Sequence, residues 1–298
     1  MLFTIVAVVF ALLHVAPGDP ARNVAGLRAS EHEVARVRTE LGIDRPLPEQ
    51  YVRYLGDVVR GDLGFSYKSR EPVSTMIGDR LGASVWLLTI GLLLAVVLAV
   101  PVSLLAARRP GGIADYIVRF SCQLGIALPS FWLGSMLLLL FAVRLNWFPA
   151  GGFGETTTEH VHRVALPAIT LALGAAPILI RSLRAGILST LERDHVATAR
   201  SIGLSERSIV RHAVLRNAAP SVVTLLALEA GYLLFGAVVI ETTFAYPGVG
   251  EGLVQAARGR DLPAIQGYTL LFAVIVVVFN LLADVAGVML DPRVEVDG

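Results

Sequence analysis

The sequence predicts an all-α membrane protein with six transmembrane helices and a helical external segment after the first of them. Composition is the first observation: of 298 residues, 55% are hydrophobic and only 16% charged, with a mean hydropathy of +0.67. Soluble domains carry about 25% charged residues, so much of this chain faces lipid. The second observation is a set of long apolar runs. Ser84–Ala107, Ser121–Val143 and Val164–Ile180 contain no charge, Ala218–Ile240 contains only Glu229, and Ala264–Leu290 only Asp284. Each approaches or exceeds the roughly 17–25 residues that cross a bilayer as a helix. Buried helices of soluble proteins are seldom apolar on every face for so long. The third is the placement of arginine. Loops Arg108–Arg119 and Arg181–Pro220 hold ten, whereas Asn146–Arg163 and Tyr246–Pro263 hold three. Basic loops stay in the cytoplasm, so the first two face inward and both termini are expected there.

Met1–Ala16 is the sixth span, at the start of the chain. It is apolar except for His14 and short for a full crossing, so the natural chain is expected to begin upstream. No basic n-region precedes it, which argues against a signal peptide. Segment 17–83 follows as the external region, with ten basic and ten acidic residues. Ser30–Leu41 reads as a helix capped by Ser30, with Glu33 completing a capping box and Gly42 ending it. Pro48–Val59 reads as a second helix, stopped at Gly61. So small a region supports little core of its own, and it is expected to pack over the outer ends of the spans. Residues 84–290 then form the spanning core, with a cytoplasmic loop at 181–220 and a short cytoplasmic tail at 291–298.

The loop is the informative part of that core. Asp194–Pro220 is basic and helix-patterned, and it lies between two apolar runs. Ala197, Ala199, Ile202, Leu204, Ile209 and Val210 supply an apolar side, and Arg200, Arg207, Arg211 and Arg216 a charged one. Gly203 stands where one short helix ends and the next begins. Small residues ahead of a turn glycine suit a helix that enters a cleft on another protein. Thr198 and Ser201 share that small character.

Catalytic chemistry has little to rest on. The one lysine, Lys68, follows no glycine-rich phosphate cradle, so the chain is not itself an ATPase of the P-loop kind. His160 and His162 lack the further ligands a metal site needs and read as solvated loop residues. Ser135 has no nucleophile elbow around it, and the single Cys122 permits no internal disulfide. Two carboxylates fall inside spans. Glu229 either lines a polar translocation path or is a hydrogen-bonded packing group between helices. Asp284 is close enough to the inner end of its span to reach the interface. Prolines 101, 129, 167, 177 and 220 are expected to shape the packing of the spans.

Four stretches, in order, carry a resemblance: APGDP at Ala16–Pro20, LGIDRPLPEQYVRYLGDVVRGDLGFSYKSREPVSTMIGDRL at Leu41–Leu81, ALPSFWLG at Ala127–Gly134, and ETTFAYPGVGEGLVQAARGRDLPAIQG at Glu241–Gly267. With the basic loop between the last two, they resemble the peptide branch of binding-protein-dependent ABC importer permeases, the dipeptide, oligopeptide and nickel group. The resemblance implies the type I permease fold. It implies a homologous second permease, ABC ATPase subunits or a fused ATPase that hold ATP and Mg, and an extracytoplasmic substrate-binding protein. This chain itself would hold no cofactor and no nucleic acid, only membrane lipid and its partners. The coupling loop would comprise Asp194, Ala197, Thr198, Ala199, Arg200 and Gly203. Here the chain departs from the broad importer pattern, because Ala197 stands where an acidic residue is usual and Pro220 falls late. An ion-coupled secondary transporter is the alternative of a different class, although no internal repeat supports it.

Overall fold

The computed structural model describes residues 4, 6–8, 10–11, 20–26, 29–40, 42–205, 208, 231 and 233–290. Glu229 and the second half of the basic loop lie outside the described residues, as do Pro220 and the tail 291–298. The chain divides into two units, one made of Met1–Ala83 with Pro247–Val277 and the other of Ser84–Tyr246 with Val278–Gly298.

The first unit contains helices α1 (Pro20–Ala25), α2 (Glu31–Glu40) and α3 (Leu47–Val59). The capping box at α2 forms as expected. The Ser30 N–H donates to Glu33 Oε2 at 2.7 Å, and the Glu33 N–H donates back to Ser30 Oγ at 3.3 Å. Helix α4 (Val73–Ala107) begins in this unit. Sequence hydropathy placed its start at Ser84, eleven residues late. Asp79 and Arg80 interrupt the apolar run without interrupting the helix, because a helix needs apolarity only on the face it buries.

Asp261 organises the turn ahead of α4. Its carboxylate accepts from the Ser66 hydroxyl at 2.5 Å and from the N–H groups of Tyr67 at 3.2 Å and Lys68 at 3.4 Å. Burial, with the Asp261 charge adding to it, pushes the Tyr67 phenol up to about 12. Arg80 forms an ion pair with Glu251, and its other nitrogen donates to Gln255 at 3.0 Å. The segment ahead of α4 and the returning chain at Glu251–Asp261 are thus bonded within one unit, as a region too small for a core of its own requires.

The second unit is built around the central helix α7 (Thr157–Leu191), preceded by α5 (Ile113–Ala127) and α6 (Ser130–Leu137). Thr156 caps α7 by accepting from the Glu159 N–H. Leu171, Ala175, Leu179, Leu183 and Ile187 recur at helical spacing and are buried. The span expected at Val164–Ile180 is only the middle of this 35-residue helix, so the loop expected from Arg181 stays helical to Leu191. A further correction concerns Ser121–Val143, expected as one span. α5 and the α6 segment are bent by 100° at the break between them. Pro129 supplies no N–H and forces Leu128 to extended backbone, with φ −81° and ψ 126°. Beyond α6 the chain loosens into a π-helical stretch, Leu138–Arg144.

α8 (Asp194–Ser201), α9 (Leu233–Thr243), α10 (Val249–Gly259) and α11 (Leu262–Leu290) complete the described helices; α10 and the first part of α11 belong to the first unit. Among the described residues three helices are long and apolar enough to cross a membrane, or four if the bent pair counts as one span. Asp284 on α11 is exposed.

Candidate functional site

The loop that the sequence singled out is a short helix on a rigid mount. At the C-terminal end of α7, Ile187 packs with Ala107 of α4, and Leu104, Leu188 and Leu191 close around them. Only Glu192 and Arg193 separate α7 from α8. The Glu192 N–H returns to the Leu188 carbonyl and the Arg193 N–H to the Thr190 carbonyl, so the link is a tight turn. Val196 is fully buried and seats α8. Its part was missed from sequence, because one valine in a polar helix gives no periodic signal.

The other face of α8 is presented outward. Asp194, Ala197, Thr198 and Arg200 are exposed and Ala199 is half-buried. The Thr198 hydroxyl donates to the Asp194 carbonyl at 3.0 Å, which folds it against its own helix. The close of the helix is a Schellman motif: the Gly203 N–H donates to the Arg200 carbonyl at 3.0 Å and the Leu204 N–H to the Ala199 carbonyl at 3.1 Å. Gly203 has φ +81°, the left-handed region where a side chain is strained. Past the turn, Ile202 is 71% exposed and Leu204 48% exposed. Small side chains, a sharp turn and uncovered aliphatic groups form a surface that a partner can enclose.

A clamp unforeseen from the sequence holds the mount. Asp115, in the first turn of α5, is buried and accepts from Arg184 of α7 through both oxygens, at 2.5 and 2.8 Å. The Gly111 N–H adds a third bond at 3.0 Å. In the sequence Arg184 counts only as one of the loop arginines, and Asp115 carries no signal of its own.

At the opposite end of the unit, Glu241 of α9 is 1% exposed and accepts from the Ser84 hydroxyl at 2.5 Å. It lies one residue beyond the apolar run counted as a span, which is why sequence reading passed over it and weighed Glu229 instead. His160 is not the solvated residue expected. Its ring stands edge-on to Phe153 with centroids 3.8 Å apart, and its Nδ1 is buried. His162 meets the Trp147 carbonyl at 3.1 Å through Nε2. Ser135 donates to the Phe131 carbonyl at 2.7 Å, and Cys122 is buried. Among the described residues, no three His, Cys, Asp or Glu side chains come together as a metal site would need.

The apolar helices long enough to cross a membrane define a class, the membrane-spanning helical proteins. Comparison with known proteins gives the family. Residues 99–296 match the family described as binding-protein-dependent transport system inner membrane component, and residues 1–88 match the N-terminal family of such membrane components. The chain belongs to this family, and is a permease subunit of an ABC transporter rather than an enzyme. It is 35% identical to the oligopeptide transport system permease protein AppB of Bacillus subtilis, over 96% of this chain and 92% of that protein. It is 36% identical to the glutathione transport system permease protein GsiC of Escherichia coli strain K12, over 99% of this chain and 94% of that protein. Among solved structures, an inward-facing MetNI methionine ABC transporter matches with TM-score 0.59 and 17% identity, over 72% of this chain and 96% of the matched chain. An amino acid ABC transporter matches with TM-score 0.56 and 13% identity, over 72% and 94%. These likenesses show the fold, that of ABC importer type I permeases.

Proposed function

We propose that this chain is the permease subunit of an ATP-driven importer of di- and oligopeptides in a bacterial plasma membrane. The observation that carries it is the outward-facing α8, with its small residues and Gly203 turn, mounted by a two-residue link on the central helix. In this reading α8 and the turn after it, with Asp194, Ala197, Thr198, Ala199, Arg200 and Gly203, insert into a cleft of an ATPase subunit. ATP and Mg reside on that partner. A homologous second permease completes the path, and an extracytoplasmic binding protein delivers cargo to the outer surface. The chain crosses the membrane six times, with both termini in the cytoplasm; Glu229 is the candidate pathway residue, its other reading being a hydrogen-bonded packing group between helices.

Peptide as cargo is supported by the names of two extensive relatives, an oligopeptide and a glutathione permease. Within the same branch a nickel chelate is the second cargo to test. The experiment is uptake into proteoliposomes holding the full complex and its binding protein, with ATP enclosed. ATP-dependent accumulation of a labelled dipeptide, and none of a nickel chelate, is the expected result. Uptake driven by an ion gradient without ATP would overturn the reading.

A further inference from the structure

One cavity of the second unit has no part in the function described so far. It measures about 970 Å³ and lies against α5 and α7, lined among others by Tyr116, Arg119, Gln123, Arg181 and Arg184. Its charge is unbalanced. Arg184 is paired with Asp115 through two hydrogen bonds, and Asp115 accepts a third from the Gly111 N–H. The Arg119 guanidinium lies over the Tyr116 ring, 5.2 Å from its centroid. Among the described residues neither Arg119 nor Arg181 donates a hydrogen bond or closes an ion pair, although the Arg119 charge acts on the Asp115 carboxylate, and both are exposed. Two guanidinium groups therefore line one cavity, and neither is hydrogen-bonded to an anion.

The position of the cavity says which anion fits. Arg119 and Arg181 stand at the boundary between charged loop and apolar run, Arg181 directly following Val164–Ile180. Tyr116 is 60% and Phe120 72% exposed beside them. Exposed aromatic rings next to arginine at the end of a span mark the head-group level of a bilayer. We propose that this cavity binds the phosphodiester of an anionic phospholipid of the cytoplasmic leaflet. Arg119 and Arg181 hold the phosphate, since guanidinium presents paired N–H donors to such oxygens. Basic cavities between spans on the cytoplasmic side have this chemistry in general. The assignment to that leaflet rests on the inward orientation proposed above; the chemistry of the site does not.

The test uses the complete complex in nanodiscs, which present both leaflets, so a negative result bears on the site and not on orientation. Spin-labelled phosphatidylglycerol is added and its immobilised fraction compared with that of spin-labelled phosphatidylcholine. The expected result is preference for phosphatidylglycerol, reduced about fivefold by each of Arg119→Ala and Arg181→Ala, the weight of one basic residue at an anionic surface. Arg119→Lys with Arg181→Lys should retain part of it. Co-purification of the ATPase with each variant shows that the fold survives. Equal immobilisation of the two lipids, or a preference unchanged in the double alanine variant, would overturn the proposal. So would displacement of the lipid by millimolar inorganic phosphate, which would make this a site for the free ion. A photocrosslinker at Gln123 that captured the companion permease in place of lipid would assign the cavity to that interface instead.

Discussion

Asp115 and Arg184, 69 residues apart, form a two-point contact in which Nε donates to Oδ1 and Nη2 to Oδ2. The planar fork of arginine matches the carboxylate, so the contact fixes both the distance and the rotation of α5 against α7. It lies two turns above the link that carries α8, and the pose of α8 depends on it.

Removing one partner should therefore cost more than removing both. Asp115→Ala leaves a largely buried guanidinium without its anion and should destabilise the unit by about 3 kcal/mol. Asp115→Ala with Arg184→Met should recover much of that loss. Thermal melting of the purified complex measures both; additive losses would mean that the pair does not act as a unit.

Coupling should fail when α8 can no longer be enclosed. Ala199→Asp places a charge on the small, half-buried face, and an unpaired charge in an interface costs several kcal/mol, roughly 2–5. Gly203→Val forces a β-branched residue to φ +81°. Both variants should assemble yet lose ATP hydrolysis stimulated by loaded binding protein, while Arg207→Ala should retain it. Normal stimulation in Ala199→Asp would remove α8 as the coupling element.

Orientation is open to direct labelling. A cysteine at Ser205 should react with an impermeant thiol reagent only from the cytoplasmic side, and a cysteine at Thr157 only from the outside. Reaction of both from one side contradicts the six-span arrangement. The same assay separates this topology from any with an even number of crossings between the two positions.

The capping box predicts a pH response confined to α2. Hydrogen bonds from the Ser30 N–H and hydroxyl hold the Glu33 carboxyl below the usual carboxylate range. Because its folded pKa is depressed, its contribution is present above the ordinary glutamate pKa and is lost as pH falls through the lowered value. Amide protection factors in Glu31–Glu40, taken relative to the intrinsic exchange rate at each pH, should fall on acidification in wild type. Glu33→Gln keeps a capping partner without a titrating group and should flatten that dependence.

How far these features could be read in the sequence follows from the range of the forces involved. The α2 cap and the stops at Gly42, Gly61 and Gly203 were legible, because each involves neighbours within about five positions; all three glycines have positive φ. Apolar runs gave the lipid-facing parts of α4, α7 and α11 but not their ends, where polar residues continue the helix beyond the bilayer. The bend at Pro129 was not legible: Ser121–Val143 read as one span, because its apolar run is continuous across the proline and nothing in hydropathy marks a change of direction. Pairings such as Asp115 with Arg184, Ser84 with Glu241 and Ser66 with Asp261 bridge separations of 69, 157 and 195 residues. Nothing local announces them.

α7 runs unbroken from the cap at Thr156 to the link at Glu192, and at about 1.5 Å per residue it reaches roughly 50 Å. It is a lever arm whose load is α8. Within it Pro167 and Pro177 each lack the donor that would stiffen the preceding turn, so compliance is concentrated at those points. Below Pro177 the arm is about 21 Å long by the same rise, and a bend of about 10° there would carry its tip through about 4 Å. A stroke of that size is comparable to one helical turn. The position of a single proline would thus gear how much motion inside the membrane reaches the nucleotide-hydrolysing partner.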